Sequence, residues 1–234
     1  MLNYFSAYNR LERKRKKLLS QLTDKLRDSA LSQYIHTPFK SFEQEILDLD
    51  LLSIDFETTG LNAVSDKLLS MGRVEMHKGR IQLASASHNI INVKQPLNSE
   101  NVVIHQITDS ETNRGCALKK ALDELLTAMT GKVLLVHYAH IERSFLEQAC
   151  WQVYGVKPPF LMIDTLAIIK KRFDMSDAGY DPSRLRLANL LAEYQLPTYS
   201  SHNALYDAIS TAELLLAELH HHKQGLKTKL KDLV

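Results

Sequence analysis

The stretch LLSIDFETTG, residues 51–60, restricts the fold of this chain more than any other part of it. Its bulky apolar residues run without interruption into Thr-Thr-Gly, the pattern of a buried strand closed by a turn. Asp55 and Glu57 lie two residues apart near the end of that run. Side chains two apart on a strand face the same side, so both carboxylates point one way. Like charges held together beside an apolar run are unfavourable unless a proton or a cation intervenes. A divalent cation with a preference for oxygen ligands, Mg²⁺ or Mn²⁺, meets that need. An isolated D-x-E is equally the mark of a strand end emerging into solvent, so it decides nothing alone.

The rest of the chain alternates strand and helix patterns. LLSMGRVEMHKGRIQLAS (68–85) reads as two strands joined at Lys78-Gly79, and Ile90 to Val93 as a further short strand. Ala117 to Met129 has helical spacing and stops near Gly131; KVLLVHYA (132–139) is a second buried strand, followed by a helix from Ile141 to Tyr154. FLMIDTLAI opens as a short strand at 160–163, and the closing helices are 186–194 and 204–220. Such alternation argues for an α/β fold around a mixed sheet.

With 44% hydrophobic and 24% charged residues among 234, the chain has the composition of a soluble globular protein large enough to bury a core without staples. Its formal charge of +2 says nothing for or against a nucleic-acid partner. Cys116 and Cys150 lie far apart without metal-ligand spacing and read as free thiols of a reducing cytoplasm. The start, MLNYFSAYNRLERKRKK, lacks an apolar signal-peptide centre, and no run approaches the ~20 residues that cross a bilayer. A cytoplasmic location and no membrane partner are therefore expected.

Two further stretches carry titratable groups. HNALYD (202–207) places His202 just before a helix and Asp207 in its first turns, so imidazole and carboxylate can share one site; histidine is suited to taking a proton from water near neutral pH. In VLLVHYAHIERSFL (133–146), a strand delivers His137 and a helix then carries Glu142 in its first turn. Taken singly, a capping histidine and a helix-start acid favoured by the dipole account for these equally well.

In order and spacing, the three stretches resemble the motifs of the DnaQ-like, or DEDDh, exonucleases. These are IDFETTG (54–60), HYAHIERSFL (137–146) and HNALYDA (202–208), with IHQIT (104–108) and MIDTLAI (162–168) matching the intervening segments, over roughly residues 50–219. The resemblance implies a ribonuclease H-like mixed sheet flanked by helices. It implies a 3′→5′ exonuclease that hydrolyses nucleic acid, DNA favoured, from single-stranded 3′ ends and releases nucleoside 5′-monophosphates. Two divalent ions about 4 Å apart serve that chemistry in the resembling enzymes. Matched positions make Asp55, Glu57, Asp207 and Glu142 the metal-binding acids, Glu142 acting through water, and His202 the general base. Phe56, Thr58, Leu61, His105 and Ile141 fall where substrate contacts are expected. Glu142 departs from the Asp of the family pattern, and Ile141 from its Phe. An RNA-directed exoribonuclease, and a catalytically weakened nucleic-acid-binding module that keeps the fold, are the alternatives.

Residues 1–47 read as a separate basic helical extension, and 48–234 as the exonuclease domain. Tyr4, Tyr8, Leu11, Leu18 and Leu22 repeat at helical intervals with one missed turn at Arg15, and HTPFKSF (36–42) ends the helical stretch. Arg10, Arg13, Lys14, Arg15, Lys16 and Lys17 crowd into the same segment, which could pack on the domain, tether nucleic acid, or dock a protein partner. Only His220 to Val234 follow the last helix, so association with a polymerase is possible but a stand-alone repair or turnover enzyme is the favoured expectation. The run His220-His221-His222 reads as an exposed helix end.

Overall fold

The structure, a computed structural model, describes residues 2–93, 107–175, 179–199, 202–221 and 223–234. The central strand is the one that carries the D-x-E pair. Strand β1 (Asp50–Thr58) is flanked on one side by β2 (Leu68–His77) and β3 (Arg80–Ile90), and on the other by β4 (Val133–Val136) and β5 (Met162–Asp164). The sheet order is β3-β2-β1-β4-β5. The β1–β2 and β2–β3 pairings are antiparallel, while β1–β4 and β4–β5 are parallel. The expected mixed sheet flanked by helices, with a helical amino terminus, is what forms. The separate strand expected at 90–93 does not. Ile90 ends the longer β3, and Ile91 forms an isolated bridge with Cys116 instead.

Alternation along β1 divides its side chains between two layers. Leu52, Ile54 and Phe56 enter a core with the helices α4 (Leu118–Met129) and α5 (Ala139–Tyr154), whose Leu122, Leu126, Phe145 and Leu146 are buried against them. Leu51 faces the opposite core, shared with Val74, Leu135, Ile209 and Leu215, the last two from the long helix α8 (Ala204–His221). Each such apolar side chain taken from water stabilises the fold by roughly 1.5–3 kcal/mol. A smaller cluster joins α6 (Thr165–Asp174) and α7 (Leu187–Glu193) to α8 through Ile169, Phe173, Leu190 and Leu214. The short α3 (Asp109–Arg114) begins with a capping box between Thr108 and Glu111.

The amino-terminal segment shares both cores. Helix α1 (Leu2–Leu19) contributes Leu18 to one of them and rests Tyr8 and Leu11 on the other. Helix α2 (Ala30–His36) buries Leu31, Tyr34 and Ile35, and the Tyr34 hydroxyl donates to the Pro159 carbonyl at 3.0 Å. The missed turn in the apolar pattern has a physical reason. Arg15 is only 5% exposed, its guanidinium bonding the Glu12 carboxylate and, at 2.6 Å, the Ile35 carbonyl. Arg15 is thus removed from the basic patch, which consists of the exposed Arg10, Arg13, Lys14, Lys16 and Lys17.

Candidate active site

Two features of the sheet admit α8 to the end of β1. In register, Asp55 lies opposite Gly72, and Gly72 opposite His88. A Cβ on Gly72 would fall 2.1 Å from the Ala204 carbonyl carbon and oxygen and 2.2 Å from the Leu205 nitrogen. Glycine is therefore what lets the first turn of α8 lie directly on the strand beside Asp55. One turn further along, the buried Ser53 hydroxyl donates to the Ala208 carbonyl at 2.7 Å and holds the helix to β1.

Asn203 caps this helix, its Oδ1 accepting from the Leu205 and Tyr206 amides. The cap directs Asp207 inward over the sheet. Ligand oxygens of Asp55, Glu57 and Asp207 then lie within 4.8 Å of one another. Burial is the first cause, and the neighbouring charges of Glu142, Asp207 and Glu57 the second, that hold the Asp55 carboxyl well above the usual carboxylate range. Burial and Glu57 push Asp207 up to about 6, partly opposed by the His202 amide that donates to its carboxylate. Such crowding is relieved when a cation supplies the missing charge, and an all-oxygen donor set fits a hard divalent ion.

Glu142 stands behind this group. It lies in the first turn of α5, is 3% exposed, and its Oε2 is buried without a hydrogen-bond partner among the described residues. Burial, with the charge of Asp164 adding to it, pushes its carboxyl up to about 8. Its charge is felt at Asp55, although its oxygens lie outside the group of three.

A cleft of about 840 Å³ opens over these acids, lined among others by Asp55, Glu57, Leu61, His137, Leu166, Arg186, His202 and Asp207. His202 is exposed at its edge with a left-handed backbone (φ 62°), and Tyr138 adopts a similar conformation (φ 80°) on the cleft wall. Backbone strain of this kind clusters at functional sites. Leu61 is 76% exposed on the rim. Phe56 borders the cleft, but its ring is buried in the core on the other side of the sheet. Thr58 is buried and donates to the Gly60 carbonyl; Ile141 is partly buried against the α5 core; neither is among the cleft-lining residues. His105 lies outside the described residues. His137 bridges the Thr165 hydroxyl and the Leu185 carbonyl, and burial lowers its pKa.

Several contributors were not singled out from sequence. Asp164 accepts from the amides of Tyr138 and Ala139 at the start of α5 and of Leu166 and Ala167 at the start of α6. One carboxylate thus caps two helices. Its signal was present, an Asp immediately before an apolar helical run. Gly72, isolated inside a strand pattern, was likewise a mark of close backbone approach. Tyr138, Arg186 and Tyr199, which also line the cleft, had no sequence signal that separates them from surface residues.

Comparison with known proteins bears on this arrangement. The model of the exonuclease family RNase_T matches residues 52–215. A PolC-type DNA polymerase III of Thermotoga petrophila is 25% identical over 193 residues, 82% of this chain and 14% of that protein. The PolC-type polymerase of Streptococcus sanguinis is 28% identical over 199 residues, 83% of this chain and 13% of its own. The chain therefore spans about one seventh of the length of these relatives. Among solved structures, the nuclease domain of 3′hExo, a DEDDh family member bound to rAMP, aligns with a TM-score of 0.63 at 15% identity, covering 80% of this chain and 98% of that one. Exonuclease X bound to 5′-overhanging duplex DNA aligns at 0.57 with 19% identity, covering 78% and 99%. These structural likenesses establish the shared fold. The matched family model, which takes in Asp55, Glu57, Glu142 and Asp207 alike, closes the question of kinship: the chain belongs to the RNase_T exonuclease family.

Proposed function

We propose that this chain hydrolyses nucleic acid from the 3′ end, with DNA the preferred substrate, and releases nucleoside 5′-monophosphates. The observation that carries the reading is the convergence of Asp55, Glu57 and Asp207 on the floor of a cleft that His202 edges. The three carboxylates would hold two divalent ions, Mg²⁺ or Mn²⁺, with Glu142 supporting them through water. Bound there, the ions supply Lewis-acid stabilisation of the charge that develops on the phosphate oxygens. His202 takes the proton of the attacking water; its exposed ring can reach solvent, and its backbone amide is tied to Asp207. Arg186, exposed on the cleft wall, meets the backbone phosphate, and Leu61 presses on the terminal base. Phe56, Thr58 and Ile141 hold the wall behind.

The preference for DNA rests on the curated relatives, which are DNA polymerases of the PolC type. An RNA-directed enzyme of the same fold is the second reading, since the same acids serve either sugar. In the proposed arrangement residues 48–234 form the exonuclease domain of a cytoplasmic protein. Residues 1–47 pack on that domain and offer the basic face of α1 to nucleic acid or a protein partner, with polymerase association not favoured. Among the described residues no helix is long and apolar enough to cross a membrane.

The test is parallel digestion of matched single- and double-stranded DNA and RNA, labelled at either end, with and without Mn²⁺. Metal-dependent mononucleotide release from 3′ ends of DNA, abolished in Asp55→Ala, is the expected result. Cleavage of RNA alone would replace the first reading with the second, and full activity of Asp55→Ala would overturn the metal site. No cleavage of any substrate by the intact chain would leave the weakened binding module, for which Glu142 is the sequence feature.

A further inference from the structure

We infer that Tyr199 and Tyr206 form a stacking platform for an unpaired base of the substrate strand, beside His202 at the mouth of the cleft. This rests on the reading that a single strand enters the cleft. The two rings lie 5.7 Å apart at an interplanar angle of 11°. Among the described residues the other aromatic pairs are tilted or edge-on, with angles of 34° or more. Offset-stacked and edge-on pairs are both ordinary packing arrangements; a parallel pair left open to solvent also presents a flat π face.

This pair is open. Tyr199 is 37% exposed and Tyr206 40%. Each residue thus keeps more than a third of its surface in water. The pair is also held in place: the Tyr199 hydroxyl donates to Glu213 at 2.9 Å, anchoring the ring to α8. Its position is continuous with the acidic centre. Tyr199 lines the same cleft as His202 and Asp207, and Tyr206 directly precedes Asp207 in the first turns of α8. A base held here would lie on the path of a strand that enters the cleft lined by Tyr199. Nucleobases of every kind have a π face, so the platform favours an unstacked strand without reading its sequence.

The experiment measures binding without cleavage. Anisotropy of a 5′-labelled oligothymidylate, and of a series in which one abasic residue is moved from the 3′ end inward, is recorded in EDTA at low salt. Wild-type protein should lose about tenfold or more in affinity when one particular position is abasic. Tyr199→Ala and Tyr206→Ala should show the same loss on the intact oligomer and no additional loss at that position. Tyr206→Phe, which keeps the ring, should bind as wild type does. Near-ultraviolet and far-ultraviolet circular dichroism checks that the variants are folded. Equal affinity of both alanine variants and wild type for the intact strand would overturn the platform. So would losses that add at every abasic position, or an intact protein that does not bind the strand. Because no hydrolysis is read, base-dependent binding by a protein that fails every cleavage assay would sink the exonuclease reading and leave the platform standing.

Discussion

Replacing Gly72 by alanine tests how the site is assembled. The added Cβ would meet the Ala204 carbonyl at 2.1 Å, where ordinary contact begins at 3.4 Å, and both neighbours are backbone atoms. A flexible side chain could swing aside; a helix turn laid on a strand cannot. The start of α8 must retreat by ~1.3 Å, the difference between those two distances, or β2 must bend by as much. Asp207 lies one turn beyond Ala204 and moves with it, away from oxygens now within 4.8 Å. Overpacking of this kind costs roughly 1–3 kcal/mol of stability, and a ~1 Å misplacement of reacting groups costs on the order of 100-fold in rate. The two effects separate experimentally. Thermal unfolding gives the stability loss, and kcat on a 3′-labelled strand, measured well below the variant's Tm, gives the geometric one. We expect a folded Gly72→Ala protein with kcat down about 100-fold and weaker Mn²⁺ binding. A folded variant with wild-type kcat would refute the claim that close approach at this position places Asp207.

Further outcomes follow from the same geometry. Folded-state carboxyls raised above their unfolded values hold protons that the unfolded chain has lost, so the stability of metal-free protein is present below pH ~4 and is lost as pH rises through the folded values. With Asp207 pushed up to about 6 and Glu142 up to about 8, the metal-free Tm should fall between pH 4 and 8, and added Mn²⁺ should restore it increasingly toward pH 8; a Tm independent of pH and ion would contradict the crowding. Glu142→Gln should raise the metal-free Tm near pH 8 by removing a buried charge while lowering kcat, whereas Glu142→Asp should stay active; an inactive Glu142→Asp would mean the longer arm is required. Asp164→Ala leaves four amides at two helix starts without their acceptor and should cost about 1–2 kcal/mol per cap by chemical denaturation; a loss below 1 kcal/mol would show that water replaces it.

The parts legible in the sequence were those in which one local pattern decides the outcome. Two-residue periodicity placed Asp55 and Glu57 on one face of β1, and the chain order of the acidic stretches carried the kinship. What was hidden depended on contacts between distant segments. Arg15 broke the apolar stripe of α1 because its partner, the Ile35 carbonyl, is presented by another helix. The lone glycine in GRVEM marks a close approach, but only the fold shows that α8 makes it. Helix α6 is masked in the sequence because TLAIIKKRF follows the β5 strand directly, with Asp164 serving both as strand end and as helix cap. The extra strand expected at 90–93 failed because β3 simply runs longer, so apolar residues that looked like a new element continue an old one.

The double cap made by Asp164 also limits how a phosphodiester can be held. Helix beginnings ordinarily present free amides that suit phosphate oxygens. Here the amides of Tyr138, Ala139, Leu166 and Ala167, at the two helix starts that border the cleft, already face an internal anion. Their affinity for negative charge is spent before any substrate arrives, and the scissile group must find its counter-charge elsewhere. Two helix starts that share one anchor are also coupled through it, so a change at Asp164 reaches both at once.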